Sequence, residues 1–481
     1  MRSPPPPPTA LARSAGRGLA EQLAARLAER IEQRLLAGGA RLPSVRECAR
    51  HQAVSTSTVV AAYDLLQAQG LIEARPQRGF FVRDATPARA RSTGFAADAP
   101  VPVPVDATAL IRSMFQAQGK PAPAMGTLPE AWLDAPLLQR ALRRVLTGDP
   151  QAWLRYGHPA GDPSLRQQLA QRLADLGLHA GAEQIITTVG ATHALDVVSR
   201  ALLRPGDAVL VDEPGWAVEF ARLTQLGMRL LPVPRGADGP DLAVLRSLLA
   251  AHRPRLYVTV SVLHNPTGAN LSPAAAHQVL RLADEFDLTI VEDDTYAWLA
   301  PPHATRLAQL DQLRRTIYVS GFSKILAPQW RVGFLAAPRA WVERFVDVKL
   351  LCTLTTPAPL EQALAVCLQQ GGLRRHVDRV SAQLDLARTR TVRLAREAGC
   401  SFVTPPQGLF GWVDVGCDTE RLAQVLLDDG WLIAPGTLFL PAARPTPWMR
   451  VNFGTSQDAR FWRALVQARR HLAPARTSGH V

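Results

Sequence analysis

Residues 317–334 read I-Y-V-S-G-F-S-K-I-L-A-P-Q-W-R-V-G-F: an apolar β-type run closed by a Ser/Gly turn, with Lys324 in the turn and Arg331 seven residues later. Of the 54 basic residues only Lys120, Lys324 and Lys349 are lysines. A guanidinium stays protonated and cannot condense with an aldehyde, whereas a lysine of lowered pKa forms a Schiff base. In a chain that otherwise uses arginine, a lysine at a strand end is a choice of chemistry. Small hydroxylic residues and an arginine beside it suit an anionic cofactor. An exposed lysine after a strand is the alternative for this stretch alone. The S-x-x-K pattern of penicillin-binding enzymes is excluded, because position 321 is Gly.

Outward from this stretch, strand-like apolar runs at 208–211, 255–263, 288–291 and 316–319 are separated by helical patterns, and amphipathic helices are predicted at 137–146 and 165–176. Repeated strand and helix in this order predict a largely parallel sheet with helices on both faces, and ligands at the carboxyl ends of its strands. The loops there carry polar groups. T-V-G-A-T-H-A-L at 188–195 follows a strand and opens a helix, so Gly190, Ala191 and Thr192 can hold a phosphate by backbone N–H groups. H-N-P-T-G at 264–268 either presents the Asn265 amide or is only a turn. In V-E-D-D-T-Y at 291–296, Asp293 suits a protonated heterocyclic nitrogen and Tyr296 a phenolate oxygen; for Glu292 and Asp294 the alternative is an acidic strand end facing solvent.

The chain has 481 residues, a net charge of +13 and a pI near 10.4, which points to an acidic partner. Arginine-rich coding raises pI as well. Five scattered cysteines form no C-x-x-C pair, so neither a zinc site nor a disulfide framework is expected and no metal is assigned. No apolar run reaches membrane-spanning length, and the opening M-R-S-P-P-P-P-P lacks a signal-peptide stretch, so a cytoplasmic protein is expected.

The first part of the chain has its own pattern. Residues 1–17 are a Pro-, Ala- and Arg-rich tail expected to be disordered. Leu19, Leu23, Leu27, Ile31 and Leu35 recur every four residues, a helical stripe over 19–36 that ends at Gly38-Gly39. Pro43, placed in a first helical turn, and Ser55 as N-cap mark two more helices, and E-A-R-P-Q-R-G-F-F-V at 73–82 reads as a two-stranded hairpin. Three short helices and a hairpin make a winged helix-turn-helix. Ser55, Thr56, Ser57 and Thr58 crowd the start of its third helix, where they can meet phosphates and base edges. Arg46, Arg75 and Arg78, with Gly79 in the wing, complete the candidate DNA contacts. Residues 1–84 hold 12 basic and 7 acidic residues, net +5. A small helical docking domain is the alternative.

Through L-P-S-V-R, S-T-S-T-V, the segment 63–70 and R-G-F-F-V, residues 19–82 resemble the DNA-binding domain of the GntR superfamily. After an Ala/Pro/Arg-rich linker at 85–108, the phosphate loop, Asn265, Asp293 with Tyr296, Lys324, Arg331 and a late M-R-V-N-F-G resemble, in that order, the fold-type I pyridoxal phosphate enzymes of the aspartate aminotransferase group. That resemblance implies Lys324 as the Schiff-base lysine, Asp293 under the pyridine nitrogen, Asn265 and Tyr296 on the phenolic oxygen, and Trp216 stacked on the ring. It implies Gly190, Ala191, Thr192, Ser323 and Arg331 on the phosphate, Tyr156 on the phosphate of a partner subunit, and Arg450 on a substrate carboxylate. Gly321 stands where a phosphate-binding hydroxyl is usual, so Ser320 or Ser323 must compensate, and His193 stands where glutamine is common.

A GntR-type head on an aminotransferase-like body is similar to the MocR subfamily of regulators. The expected organisation is a winged helix-turn-helix at 18–84, the linker, an α/β fold-type I domain at 109–474 and a tail at 475–481. The expected partners are operator DNA, pyridoxal 5'-phosphate, an amino-acid-like effector and a second copy of the chain. The rival expectation is an active aminotransferase with an accessory head.

Overall fold

The computed structural model describes residues 18–32, 36, 39–75, 78–83, 123–148, 154–301 and 303–472. The expected tails and linker lie outside them. The chain divides into two compact units, the first carried by residues up to Lys120 and the second by most of those from Pro121.

The head has helices Leu19–Glu32, Val45–Gln52 and Thr56–Ala68 followed by an antiparallel pair, β1 (Ile72–Arg75) and β2 (Gly79–Val82). Leu23, Leu27, Val59, Ala62, Tyr63 and Leu66 from the helical stripes bury against Ile72 and Val82 of the hairpin, so the periodic positions form the core. Pro43 is not in a helical turn. Ser44 caps the second helix instead, in a reciprocal capping box with Glu47, and the Pro43 carbonyl accepts from the Tyr63 hydroxyl at 2.8 Å. The first helix is described only to Glu32, short of the expected 36.

The body is built on a seven-stranded sheet of β3 (Ile185–Thr188), β4 (Ala208–Glu213), β5 (Arg229–Pro234), β6 (Leu256–Thr259), β7 (Thr289–Asp293), β8 (Thr316–Gly321) and β9 (Gly333–Ala336), in the order β3-β9-β8-β7-β6-β4-β5. From β5 to β8 every pairing is parallel; β9 runs antiparallel to both β8 and β3. The sheet is thus largely parallel, with one reversed strand that the hydrophobic pattern did not signal. The run at 255–263 pairs only over β6, because Ser261, Leu263 and His264 turn away to build the next loop. A second sheet of β10 (Ser401–Phe402), β11 (Phe410–Asp414), β12 (Ala434–Pro435) and β13 (Trp448–Asn452) is antiparallel in the order β10-β11-β13-β12. It brings Arg450 toward the carboxyl ends of the large sheet.

The reversed strand positions the loop at 188–192. A Cβ on Gly333 would lie 2.5 Å from the carbonyl carbon of Gly190 and 2.7 Å from the Ala191 nitrogen, so Gly190 and Ala191 rest directly on β9. Main-chain atoms on both sides leave no side chain to give way. Gly333→Ala is expected to cost the body about 1–3 kcal/mol through overpacking. Denaturant titration checks this, and an unchanged midpoint would mean that the loop yields freely.

Candidate active site

Strand alternation separates the three successive acids of the 291–296 loop. Glu292 is buried, accepts from the amides of Leu307 (2.7 Å) and Ala308 (2.8 Å) and from the Ser261 hydroxyl, and burial pushes its carboxyl up to about 7. Asp294 is also buried and binds Arg306 Nε at 2.6 Å and the Tyr318 hydroxyl at 2.8 Å. Neither faces solvent, so that alternative is overturned for both. Asp293 points the other way. It lines a cavity with Trp216, Glu219, Leu195, Thr259 and His264. Burial raises its carboxyl to about 6, opposed by bonds from the Thr295 hydroxyl and amide and helped by the charge of Glu219.

Lys324 follows β8. Burial, with Arg450 and Arg331 nearby, lowers its amine to about 8, and the charge of Asp293 offsets part of that. Its Nζ donates to the Gly126 carbonyl at 2.8 Å. Arg450 on β13 is buried, with its guanidinium 4.4 Å from the Phe410 ring centroid and 5.1 Å from that of Phe439. It donates to Asn265 Oδ1 at 3.1 Å and to the Ala124 carbonyl at 2.5 Å; its Nε has no partner among the described residues. Desolvation brings its pKa down to about 10. Tyr296 is buried, edge-on to Phe410 at 5.5 Å; burial raises its hydroxyl and the Asn265 side chain works against that.

The anion cradle is formed by the start of helix Ala191–Leu202. Gly190, at φ 82°, is its N-cap with no side-chain bond to the first amides, so those donors stay available. Arg331 donates to the Val189 carbonyl at 2.9 Å and to Ser323 Oγ at 3.3 Å, and its guanidinium would collide with any Cβ at position 190. Open helix amides, an arginine and a hydroxyl fit a phosphate. Ser320 cannot be the compensating hydroxyl, because it is buried and donates to the Asp294 carbonyl at 2.8 Å; Ser323 remains. His193 Nδ1 accepts from the Val189 amide at 3.1 Å, a bond a glutamine side-chain oxygen could also accept.

Lys324, Asp293, Asn265, Tyr296 and Arg450 are therefore brought together, and Gly190, Ala191, Ser323 and Arg331 form the adjoining cradle, with Thr192 in the same helical turn. Tyr156 stands apart, 83% exposed. In the head, Arg46, Ser55, Thr56, Ser57, Arg75 and Arg78 are exposed and Thr58 is half-buried. Ser55 is the N-cap and accepts from the Thr58 amide at 3.1 Å. Arg75 pairs with Glu73 at 2.8 Å and lies over Phe81, and Gly79 has φ 97° beside the Arg41 side chain.

Sequence reasoning missed several supports. Asp212, at the end of β4, gathers the Tyr257 hydroxyl (2.5 Å), Thr259 (2.8 Å) and Arg235 (3.2 Å) beside the cavity. Its strand-end position in V-D-E-P-G-W was the available signal. Lys349 is also buried and brought down to about 8 by desolvation; it neighbours Thr187 and Glu361 beneath the cradle. No motif marked it.

The family model "Aminotransferase class I and II" matches residues 123–463. The chain belongs to that family. The model "Bacterial regulatory proteins, gntR family" matches residues 19–82, so the architecture is that of the MocR-type regulators. The chain is 29% identical to YjiR of Escherichia coli (strain K12), an uncharacterized HTH-type transcriptional regulator, over 93% of this chain and 97% of that one. It is also 29% identical to the HTH-type transcriptional regulator TauR of Rhodobacter capsulatus, over 87% and 90%. Among solved structures, LysN, an alpha-aminoadipate aminotransferase of Thermus thermophilus complexed with N-(5'-phosphopyridoxyl)-L-leucine, superposes with TM-score 0.70 at 25% identity, covering 76% of this chain and 95% of that chain.

The charges around Lys324 set a pH test. Competitive acylation read by peptide mass is expected to show its amine half-reactive near pH 8. Arg450→Gln removes a neighbouring cation and should move that midpoint up; Asp293→Asn removes an anion and should move it down. A midpoint near the ordinary lysine value in all three proteins would contradict the described burial.

Proposed function

We propose that the chain is a DNA-binding transcriptional regulator of the MocR type whose body responds to pyridoxal 5'-phosphate and an amino-acid-like effector. One observation carries this reading: a gntR-family head shares a chain with a body in which the Lys324 amine, the Asp293 carboxyl and the Arg450 guanidinium are buried together. The body binds pyridoxal 5'-phosphate. Lys324 holds its aldehyde carbon, Asp293 pairs with the ring nitrogen, Asn265 and Tyr296 flank the phenolic oxygen, and Trp216 covers the ring. Gly190, Ala191, Thr192, Ser323 and Arg331 take the phosphate. When bound, the cofactor supplies an electron sink for amino compounds. Arg450, which no carboxylate pairs with among the described residues, takes the effector carboxylate.

The working unit is a homodimer. Leu351 is 89% exposed, and Leu154, Leu354 and Tyr156 are exposed as well; a second copy of the chain would cover such apolar side chains, with Tyr156 reaching the partner's phosphate site. Operator DNA is the partner of the head, with Arg46, Arg75 and Arg78 on phosphates, Gly79 shaping the wing, and Ser55, Thr56, Ser57 and Thr58 at the start of the reading helix. No helix among the described residues is long and apolar enough to cross a membrane, in keeping with a regulator that works in the cytoplasm. A second reading, an aminotransferase acting between amino acids and 2-oxo acids, is favoured by the completeness of the site up to Arg450.

Operator titration by anisotropy at fixed salt, with and without pyridoxal 5'-phosphate, is expected to differ about 5- to 150-fold, with the reciprocal effect of DNA on cofactor affinity. Lys324→Ala should abolish the difference and the visible absorbance of the bound cofactor. Vigorous turnover of amino-acid and 2-oxo-acid pairs without operator binding would establish the enzyme reading instead. Arg46→Ala should weaken binding to all DNA and reduce the salt slope by about one; an unchanged slope would remove Arg46 from the phosphate contacts.

A further inference from the structure

Four successive carbonyl groups at residues 124–127 are taken by side chains of the body, two by donors of the candidate site and two by Asn452. Ala124 O accepts from Arg450 Nη2 at 2.5 Å and Gly126 O from Lys324 Nζ at 2.8 Å. Met125 O and Thr127 O both accept from Asn452 Nδ2, each at 2.8 Å. Asn452 is fully buried and its Oδ1 accepts from the Gly454 amide at 2.9 Å, so its amide group is committed on both sides. The Ala124 amide donates to the Leu432 carbonyl at 3.0 Å, Leu128 is buried, and Pro129 packs against Gly454 so closely that a Cβ there would lie 2.9 Å from it. Residues 124–128 belong to no helix or strand. They form a strap fastened by side chains, and in sequence they follow the stretch that joins head to body.

Arg450 is the pivot of the strap. Its two bonds go to neutral carbonyl oxygens, of Asn265 and Ala124, and its Nε has no partner among the described residues. A carboxylate that takes a guanidinium bidentately adds the attraction of an opposite charge and a second parallel bond, neither of which a single neutral carbonyl supplies. It therefore outcompetes the Ala124 carbonyl. We propose that residues 124–128 are a latch: a carboxylate-bearing effector at Arg450 displaces the Ala124 carbonyl, and the strap loosens at that end. Asn452 is the positioning residue that holds the rest of the strap in register. The proposal rests on the reading of the body as an effector sensor and supplies the regulation of that site.

The test uses the full-length protein and two probes that share ring and phosphate: pyridoxamine 5'-phosphate, which has no carboxylate, and N-(5'-phosphopyridoxyl)-L-alanine, which has one. Hydrogen exchange at the Ala124 amide should be about fivefold or more faster with the alanine adduct than with the amine, and operator affinity should differ between the two probes. Asn452→Ser should exchange fast with both probes and bind operator equally with both. Equal exchange with both probes in the wild type overturns the latch. So does a full operator response in Asn452→Ser. Operator affinity indifferent to either probe, and to cofactor removal, would instead sink the regulatory reading itself. If Asn452→Ser does not fold, the wild-type exchange comparison decides alone.

Discussion

Two cations, Lys324 and Arg450, are withdrawn from water beside one carboxyl at Asp293, and the body is organised around that imbalance. Burying unpaired charge is costly, and both groups respond as desolvation requires, each with a lowered pKa. What holds Arg450 is dispersed: two aromatic faces and two neutral oxygens in place of one acid. An acid there would have stabilised the arginine and closed the site to anions. The neighbouring acids are kept out by use elsewhere, Asp294 on Arg306 and Glu292 on the start of the next helix. The surplus of positive potential faces the Gly190 cradle as well, where Arg331 adds to it, which suits a ligand that is anionic at more than one end.

The geometry of that pocket depends on close backbone approach more than on any single bond. Gly190 meets the Arg331 guanidinium, and Gly333 meets Gly190 and Ala191, so two segments distant in sequence share a space with no room for one Cβ. The reversed β9 makes this possible, since it carries residue 333 back past the end of β8 and under the loop after β3. The cradle is therefore a property of the sheet edge, and a loop shift there would be felt at Lys324 only a few residues away along the same hairpin.

Lys324 stood out in the sequence because the chain avoids lysine, Asp293 and Asn265 because each sits in a short motif after an apolar run, Arg331 because it lies seven residues from that lysine, and Arg450 only through the resemblance of M-R-V-N-F-G to the aminotransferase pattern. The head was legible because its stripes, cap and wing are local. The remaining features needed partners that no local pattern names. Ser320 and Ser323 are equivalent in sequence, and only the pairing of β7 with β8 turns the first into a buried donor to Asp294. Gly333 looks like any strand glycine until β9 lies beside the loop. Lys349 shares the rarity of Lys324 but no motif, and its burial against Thr187 and Glu361 comes from packing between distant helices and strand β3. Asn452 lay inside M-R-V-N-F-G, unremarked, because its two acceptors come from more than 300 residues upstream.

The same economy of charge explains how a buried cationic pocket can serve the proposed switch. A ligand shifts a conformational equilibrium only by its differential affinity for the two states. The bond from Arg450 to the Ala124 carbonyl already has a charged donor, so what a carboxylate adds there is the opposite charge and the second bond of a bidentate pair, and about 1–3 kcal/mol of difference is enough for ordinary allosteric coupling. Had Arg450 been paired with a protein acid, the exchange would have replaced like with like and carried almost no coupling energy. The missing counter-ion thus serves two ends with one residue: it makes the pocket attractive to a carboxylate, and it makes arrival of that carboxylate energetically distinguishable at the strap.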